Sequence, residues 1–187
     1  MTERIIGEIR LLGENKEQIL VAVDGRCASG KTTAAEKLKK ELSCNVIHMD
    51  DFFLRPEQRT RERYEEAGGN VDRERFLTEV LKPLKAGKPF SYRPFDCRSM
   101  SLSEPVTVMP NAVTVIEGTY SCHPALWDYY DLHIFLTVSR EEQLKRIENR
   151  DAASLEMFRK KWIPLEERYF SEYKIGERCE LLFKGSL

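Results

Sequence analysis

The chain has 187 residues, 33% of them charged and 41% hydrophobic, with a formal net charge of −1. That length predicts a single domain with a proper core. The missing basic excess argues against a nucleic-acid partner, and no apolar run reaches the roughly 20 residues that cross a bilayer. Residues 1–18 are broken by charges and lack the apolar centre of a signal peptide, which predicts a helical N-terminal extension and a cytoplasmic protein. Removing residues 1–17, which precede the first predicted sheet strand, should leave the glycine-rich loop that follows that strand functional. The five cysteines, Cys27, Cys44, Cys97, Cys122 and Cys179, contain no CxxC pair, so they read as reduced thiols rather than a zinc or redox site.

In chain order, residues 19–24 form a short apolar run that predicts a buried strand. Residues 31–42 place Ala35, Leu38 and Leu42 on one face of a helix, and residues 45–48 read as a second strand. The charged stretch from Phe53 to Asn70, with Gly68 and Gly69 near its end, reads as a mobile loop. A helix over 72–86 carries Phe76, Val80 and Leu84 in register, with a kink expected at Pro83. Residues 88–110 alternate and turn like a β-hairpin excursion. Strands follow at 112–116 and 132–136. Ser139 and Glu142 form a capping box that starts the next helix. A helix near 155–170 and a last strand at 179–183 complete the pattern. Leu155, Phe158, Trp162, Leu165 and Tyr169 make a stripe that reads as core, and Pro164 is expected to bend the helix. Strands alternating with helices predict an α/β three-layer sandwich, a parallel sheet with helices on both faces and a helical lid near 146–170.

The chemistry begins at Gly25-Arg26-Cys27-Ala28-Ser29-Gly30-Lys31-Thr32, which fits G-x-x-x-x-G-K-[ST]. Glycines let the backbone turn its N–H groups, and the positive end of the following helix, onto phosphate oxygens. In this pattern Lys31 reaches the terminal phosphates, Thr32 ligates Mg²⁺ and Thr33 meets the α-phosphate. Gly25, Ala28, Ser29, Gly30, Lys31, Thr32 and Thr33 are therefore the predicted ATP-binding residues. Cys27 lies where Lys31 and the helix end could activate its thiol, so a thiol reagent should inactivate and MgATP protect.

Asp50 and Asp51 follow the second strand, where carboxylates of a parallel sheet point into the ligand crevice and can accept a proton. Glu117 ends the 112–116 strand and suits an ion ligand through water. Arg146 and Arg150 share one helix face and can offset the charge of a transferring phosphate. No N-K-x-D motif for guanine is present.

HMDDFF, the NVD of 70–72, the RPFD of 93–96, IEGTYS and the RIENRD of 146–151 together resemble the uridine kinase / phosphoribulokinase family of P-loop kinases. The resemblance covers residues 19–183. It implies Asp50 as catalytic base with Asp51 in support, Lys31, Arg146 and Arg150 at the transferring phosphate, and Thr32 and Glu117 at Mg²⁺. It also implies Asp72 on the sugar hydroxyls of a nucleoside-like acceptor, with Arg93 and Phe95 on the substrate side. Val71, Phe95 and Met100 stand where uridine kinases carry an aromatic residue, a tyrosine and a histidine. The acceptor is thus open among uridine or cytidine, other nucleosides, nicotinamide riboside, pantothenate and sugar-like alcohols. A nucleotide-dependent switch is the competing reading, and a homo-oligomer is left open.

Overall fold

Residues Ile19–Gly25 are all buried and form β1, the middle strand of a five-stranded sheet. A computed structural model describes residues 1–185. The sheet runs β2-β7-β1-β8-β9, with β2 at Asn45–His48, β7 at Val113–Glu117, β8 at Leu132–Thr137 and β9 at Leu181–Lys184. Every ladder in it is parallel. Helices cover both faces because β1 has no polar side. Leu20 and Ala22 enter one core layer with Ile47 and Ile116. Ile19, Val21 and Val23 enter the other with Val115 and Ile134.

The helix Thr2–Gly13 belongs to this second layer. Its Ile5 and Ile9 are buried there, at 0% and 2% exposure, a stabilisation of roughly 2 kcal/mol each. The N-terminal segment is part of the core, which corrects the expectation that it could be removed without loss.

Residues 88–110 are the expected excursion, in two antiparallel pieces. The strands β3 (Phe90–Tyr92) and β6 (Val106–Val108) pair outside β4 (Phe95–Asp96) and β5 (Ser101–Leu102). The 53–70 stretch departs from the mobile loop expected of it. It contains a 3₁₀ turn at Pro56–Gln58 and a helix at Arg61–Glu65, capped by the Thr60 hydroxyl at 3.2 Å. Arg63 ties it down, donating to the carbonyls of Gly69 and Val71 at 2.8 and 2.9 Å and pairing with Glu74 at 2.7 Å.

Both interior prolines act in the same way. The helix over 73–85 widens into a π-turn at Leu77–Leu81, just before Pro83. The helix over 155–173 does the same at Phe158–Trp162, just before Pro164. A proline cannot donate to the preceding turn and its ring crowds that carbonyl, so the turn loosens. Among the described residues no helix is long and apolar enough to cross a membrane.

Candidate active site

β1, β2 and β7 end on the same side of the sheet, and each delivers chemistry there. After β1, Gly25 and Gly30 take positive φ, at 138° and 97°, and Ala28 takes 58°. This closes the loop at the N-terminus of helix Lys31–Leu42. The Lys31 ammonium folds across the loop, donating to the carbonyls of Gly25 and Arg26, both at 2.9 Å, and to the Thr119 hydroxyl at 3.2 Å. Ser29 Oγ is buried without a hydrogen-bond partner among the described residues.

In the β2–β7 ladder His48 and Glu117 are direct partners, so their side chains emerge together. Glu117 Oε1 accepts from the Thr32 hydroxyl at 3.0 Å and lies 2.6 Å from His48 Nδ1. The Glu117 hydrogen bond raises the His48 pKa. The turn after β7 needs Gly118 (φ 141°), because a Cβ there would sit 2.7 Å from that of Met49. Its N–H donates to Val23 O at 3.1 Å, which locks the two strand ends together.

Asp50 follows β2 in the 3₁₀ turn Met49–Phe52. Its surface is accessible and lines the cavity, yet enough protein surrounds it that desolvation raises its pKa. Lys31 opposes that rise and Glu117 adds to it. The cavity encloses about 830 Å³ and is also walled by Lys31, Thr32, Thr33, Glu117, Arg146 and Arg150. Arg146 donates to Ala28 O at 3.2 Å and pairs with Glu142 at 2.7 Å. Arg150 stands 5.5 Å from the Phe158 ring centre. Loop, carboxylates and the arginines of helix Arg140–Arg150 thus meet at one place.

Three expected substrate residues face elsewhere. Asp72 caps the helix that starts at Arg73, accepting from Arg75 N–H at 3.1 Å and from Gln58 Nε2 at 2.7 Å. Arg93 spends its guanidinium on the hairpin carbonyls of Ser103 and Leu102, at 2.7 and 2.8 Å. Phe95 is buried in β4, with the Arg59 guanidinium 5.6 Å from its ring centre. None of the three lines the cavity. Met100 does, as do Phe53, Arg59, Tyr64 and Asn70. The expected core stripe also splits. Tyr169 is buried, but Phe158 and Trp162 turn to the cavity.

Glu166 is a cavity residue that sequence reasoning passed over. It is 4% exposed and accepts from the Cys27 N–H at 3.0 Å. The signal was present: Glu166 stands four residues after Trp162 and three before Tyr169, a charge at a stripe position. Its presence also overturns the reactive Cys27. Burial, and then Glu166, push that thiol up to about 12, so Lys31 does not activate it. Cys97 is exposed and opens onto the same cavity. Maleimide labelling followed by peptide mapping should therefore find Cys97 modified well before Cys27, with the fast phase lost in Cys97→Ser.

The fold and its phosphate cradle define a P-loop domain of the α/β class. Residues 21–161 match the family described as AAA domain. Uridine-cytidine kinase B of Dictyostelium discoideum is 29% identical over 149 residues, 74% of this chain and 60% of its own length. Nicotinamide riboside kinase 2 of Mus musculus is 30% identical over 140 residues, covering 71% and 68%. A solved structure described as a possible uridine kinase from Bacillus stearothermophilus superposes with a TM-score of 0.71 at 20% identity, over 97% of each chain. The chain belongs to this P-loop AAA-domain family. It spans about three-fifths of the Dictyostelium protein's length.

Proposed function

We propose that the chain is a phosphotransferase that moves the γ-phosphate of ATP to a primary hydroxyl of a small, nucleoside-like acceptor. The supporting observation is the placement of Asp50 in one cavity with the phosphate loop, beside Lys31 and Glu117. A carboxylate there can take a hydroxyl proton, which a switch that only hydrolyses nucleotide does not require of it.

The residues fit Mg²⁺. The Thr32 hydroxyl and Glu117 carboxylate oxygens, 3.0 Å apart, are the hard donors that ion prefers. No cluster of three His, Cys, Asp or Glu side chains is poised for a metal among the described residues. Water and phosphate would complete the shell, as Mg²⁺ sites usually do. When bound, the ion offsets the negative charge of the triphosphate.

The chain's own groups do the rest. The loop N–H groups and Lys31 hold the phosphates. Asp50 accepts the acceptor's hydroxyl proton as its oxygen bonds to the γ-phosphorus and the bond to ADP breaks. Arg146 exchanges Ala28 O for phosphate oxygen, and Arg150 adds a second positive charge. These contacts work by positioning and electrostatics.

The cavity is lined by four aromatic side chains, Phe53, Tyr64, Phe158 and Trp162, together with Met100. That wall suits a planar base, and two relatives carry nucleoside names, one for uridine and cytidine and one for nicotinamide riboside. ADP release from MgATP across uridine, cytidine, other nucleosides, nicotinamide riboside, pantothenate and simple sugars is the test. Stimulation by a nucleoside is the expected result. Stimulation by pantothenate or a sugar alone would replace the nucleoside and keep the kinase. Slow hydrolysis unaffected by every acceptor would favour the switch.

A further inference from the structure

Phosphate loops gather anions, and a carboxylate among them needs a reason. Resting on the reading that this cradle binds a triphosphate, we propose that Glu166 guards it: the carboxylate that accepts from the Cys27 N–H takes up a proton when the triphosphate enters.

Glu166 has no easy way out. The next residue, Glu167, pairs bidentately with Arg26 at 2.5 and 2.8 Å, and Arg26 also donates to the Thr137 hydroxyl. Tyr169 donates to Asp24 at 2.8 Å, and Asp24 in turn accepts from Gly25 N–H at 2.6 Å. Helix Ile163–Tyr173 therefore grips three successive loop residues: Gly25 through Asp24, Arg26 through Glu167 and Cys27 through Glu166. With the helix held at three points, its backbone cannot carry Glu166 away from the loop. Protonation leaves the helix in place and removes the repulsion.

Burial favours that proton, while Lys31 and the hydrogen bonds from the Cys27 N–H and thiol oppose it. Lys31 is the cation that acts on it most strongly, but its three donated bonds go to Gly25, Arg26 and Thr119. Arg26 is committed to Glu167. Asp24, the Cys27 thiol and the Tyr120 phenol complete the surroundings. Burial raises the Glu166 pKa, and Asp24 adds to the rise. The entering phosphates, which Lys31 meets at their terminal end, extend that rise. The reaction balances as one carboxylate plus one solvent proton giving one carboxylic acid.

The test is calorimetric titration of the intact chain with MgATP at about pH 8, in two buffers of different ionisation enthalpy. Net proton uptake is expected, with affinity falling by up to about tenfold per pH unit above the Glu166 pKa of the free chain. In Glu166→Gln the uptake should vanish, the pH profile should flatten, and ATP should gain more affinity than ADP. A role limited to holding the loop would move none of these, and would weaken binding in the variant. Glu166→Asp should keep the proton uptake. If Glu166→Gln does not fold, the proton count of the native chain decides alone. MgATP binding without proton uptake, or undiminished uptake in a folded Glu166→Gln, would overturn the guard and leave the kinase reading standing. Binding to neither the native chain nor the variant would overturn both. Binding only to Glu166→Gln would support the guard.

Discussion

Asp50→Asn is expected to cut turnover by about 10²–10⁴-fold while leaving MgATP affinity within about threefold of the native value. The amide keeps the shape and can still accept a hydrogen bond, but it cannot take the acceptor's proton. Nucleotide contacts belong to the loop, and Asp50 makes no hydrogen bond to it. The pH profile carries a second signature. A base works deprotonated, and the protein around Asp50 raises its pKa. In the native chain kcat/KM should therefore rise with pH through a value above that of an ordinary aspartate, and the variant should lose this limb. Steady-state ADP release, paired with a binding titration, measures both. Near-normal turnover in the variant would remove Asp50 from the base role.

Gly25→Ala should be as damaging to the fold as Asp50→Asn is to turnover. Gly25 is the last residue of β1 and the register partner of Leu136. A Cβ there would lie 1.9 Å from the Leu136 carbonyl oxygen and 2.8 Å from that residue's carbonyl carbon and nitrogen. These are backbone atoms of a central strand, so no rotamer change relieves the clash. The backbone at φ 138° adds its own strain for an L residue. A loss of at least about 3 kcal/mol is expected, or about 10 °C in Tm for a chain of this size. Gly7→Ala is the control: nothing lies within 4 Å of its Cβ, and it sits within a helix, where alanine is favoured. Thermal melts of the two variants side by side should show a large loss in the first and none in the second. Equal melts would mean that β1 and β8 can part at this point without cost.

What could be read before the structure was what short-range patterns encode. The apolar run around Val21, the Gly30-Lys31-Thr32 turn and the Ser139 cap each have a local cause, and each lies where the pattern put it. Glu117 and Asp50 were legible because strand ends in a parallel sheet share one crevice. The contents of the cavity wall were harder to read. Phe158 and Trp162 share a periodic stripe with Tyr169, but the π-turn before Pro164 rotates them out of the core. Arg63 holds the 53–70 stretch through carbonyls, which leave no mark in composition. Asp72 looks like a sugar ligand from its motif, yet Gln58 and the Arg75 N–H occupy it here. The environment of the Cys27 thiol could not be read, because its burial, and then Glu166 far along the chain, follow no spacing rule.

The strand order also governs how the chain comes together in time. β1 is synthesised well before its neighbours β7 and β8, so Ile19 has no partner until Val113 exists and Val21 none on its other side until Leu132 does. β2 shares the wait, since its ladder is also with β7. During synthesis the apolar β1 and the phosphate loop behind it must stay unpaired while the first π-turn helix and the excursion are being made. Distant pairing of this kind slows folding and exposes sticky strand edges in the interval. The nucleotide cradle thus begins to form only when β7 arrives, and it is complete only once the helix bearing Glu166 and Glu167 has closed over it. Binding competence is among the last things this chain acquires.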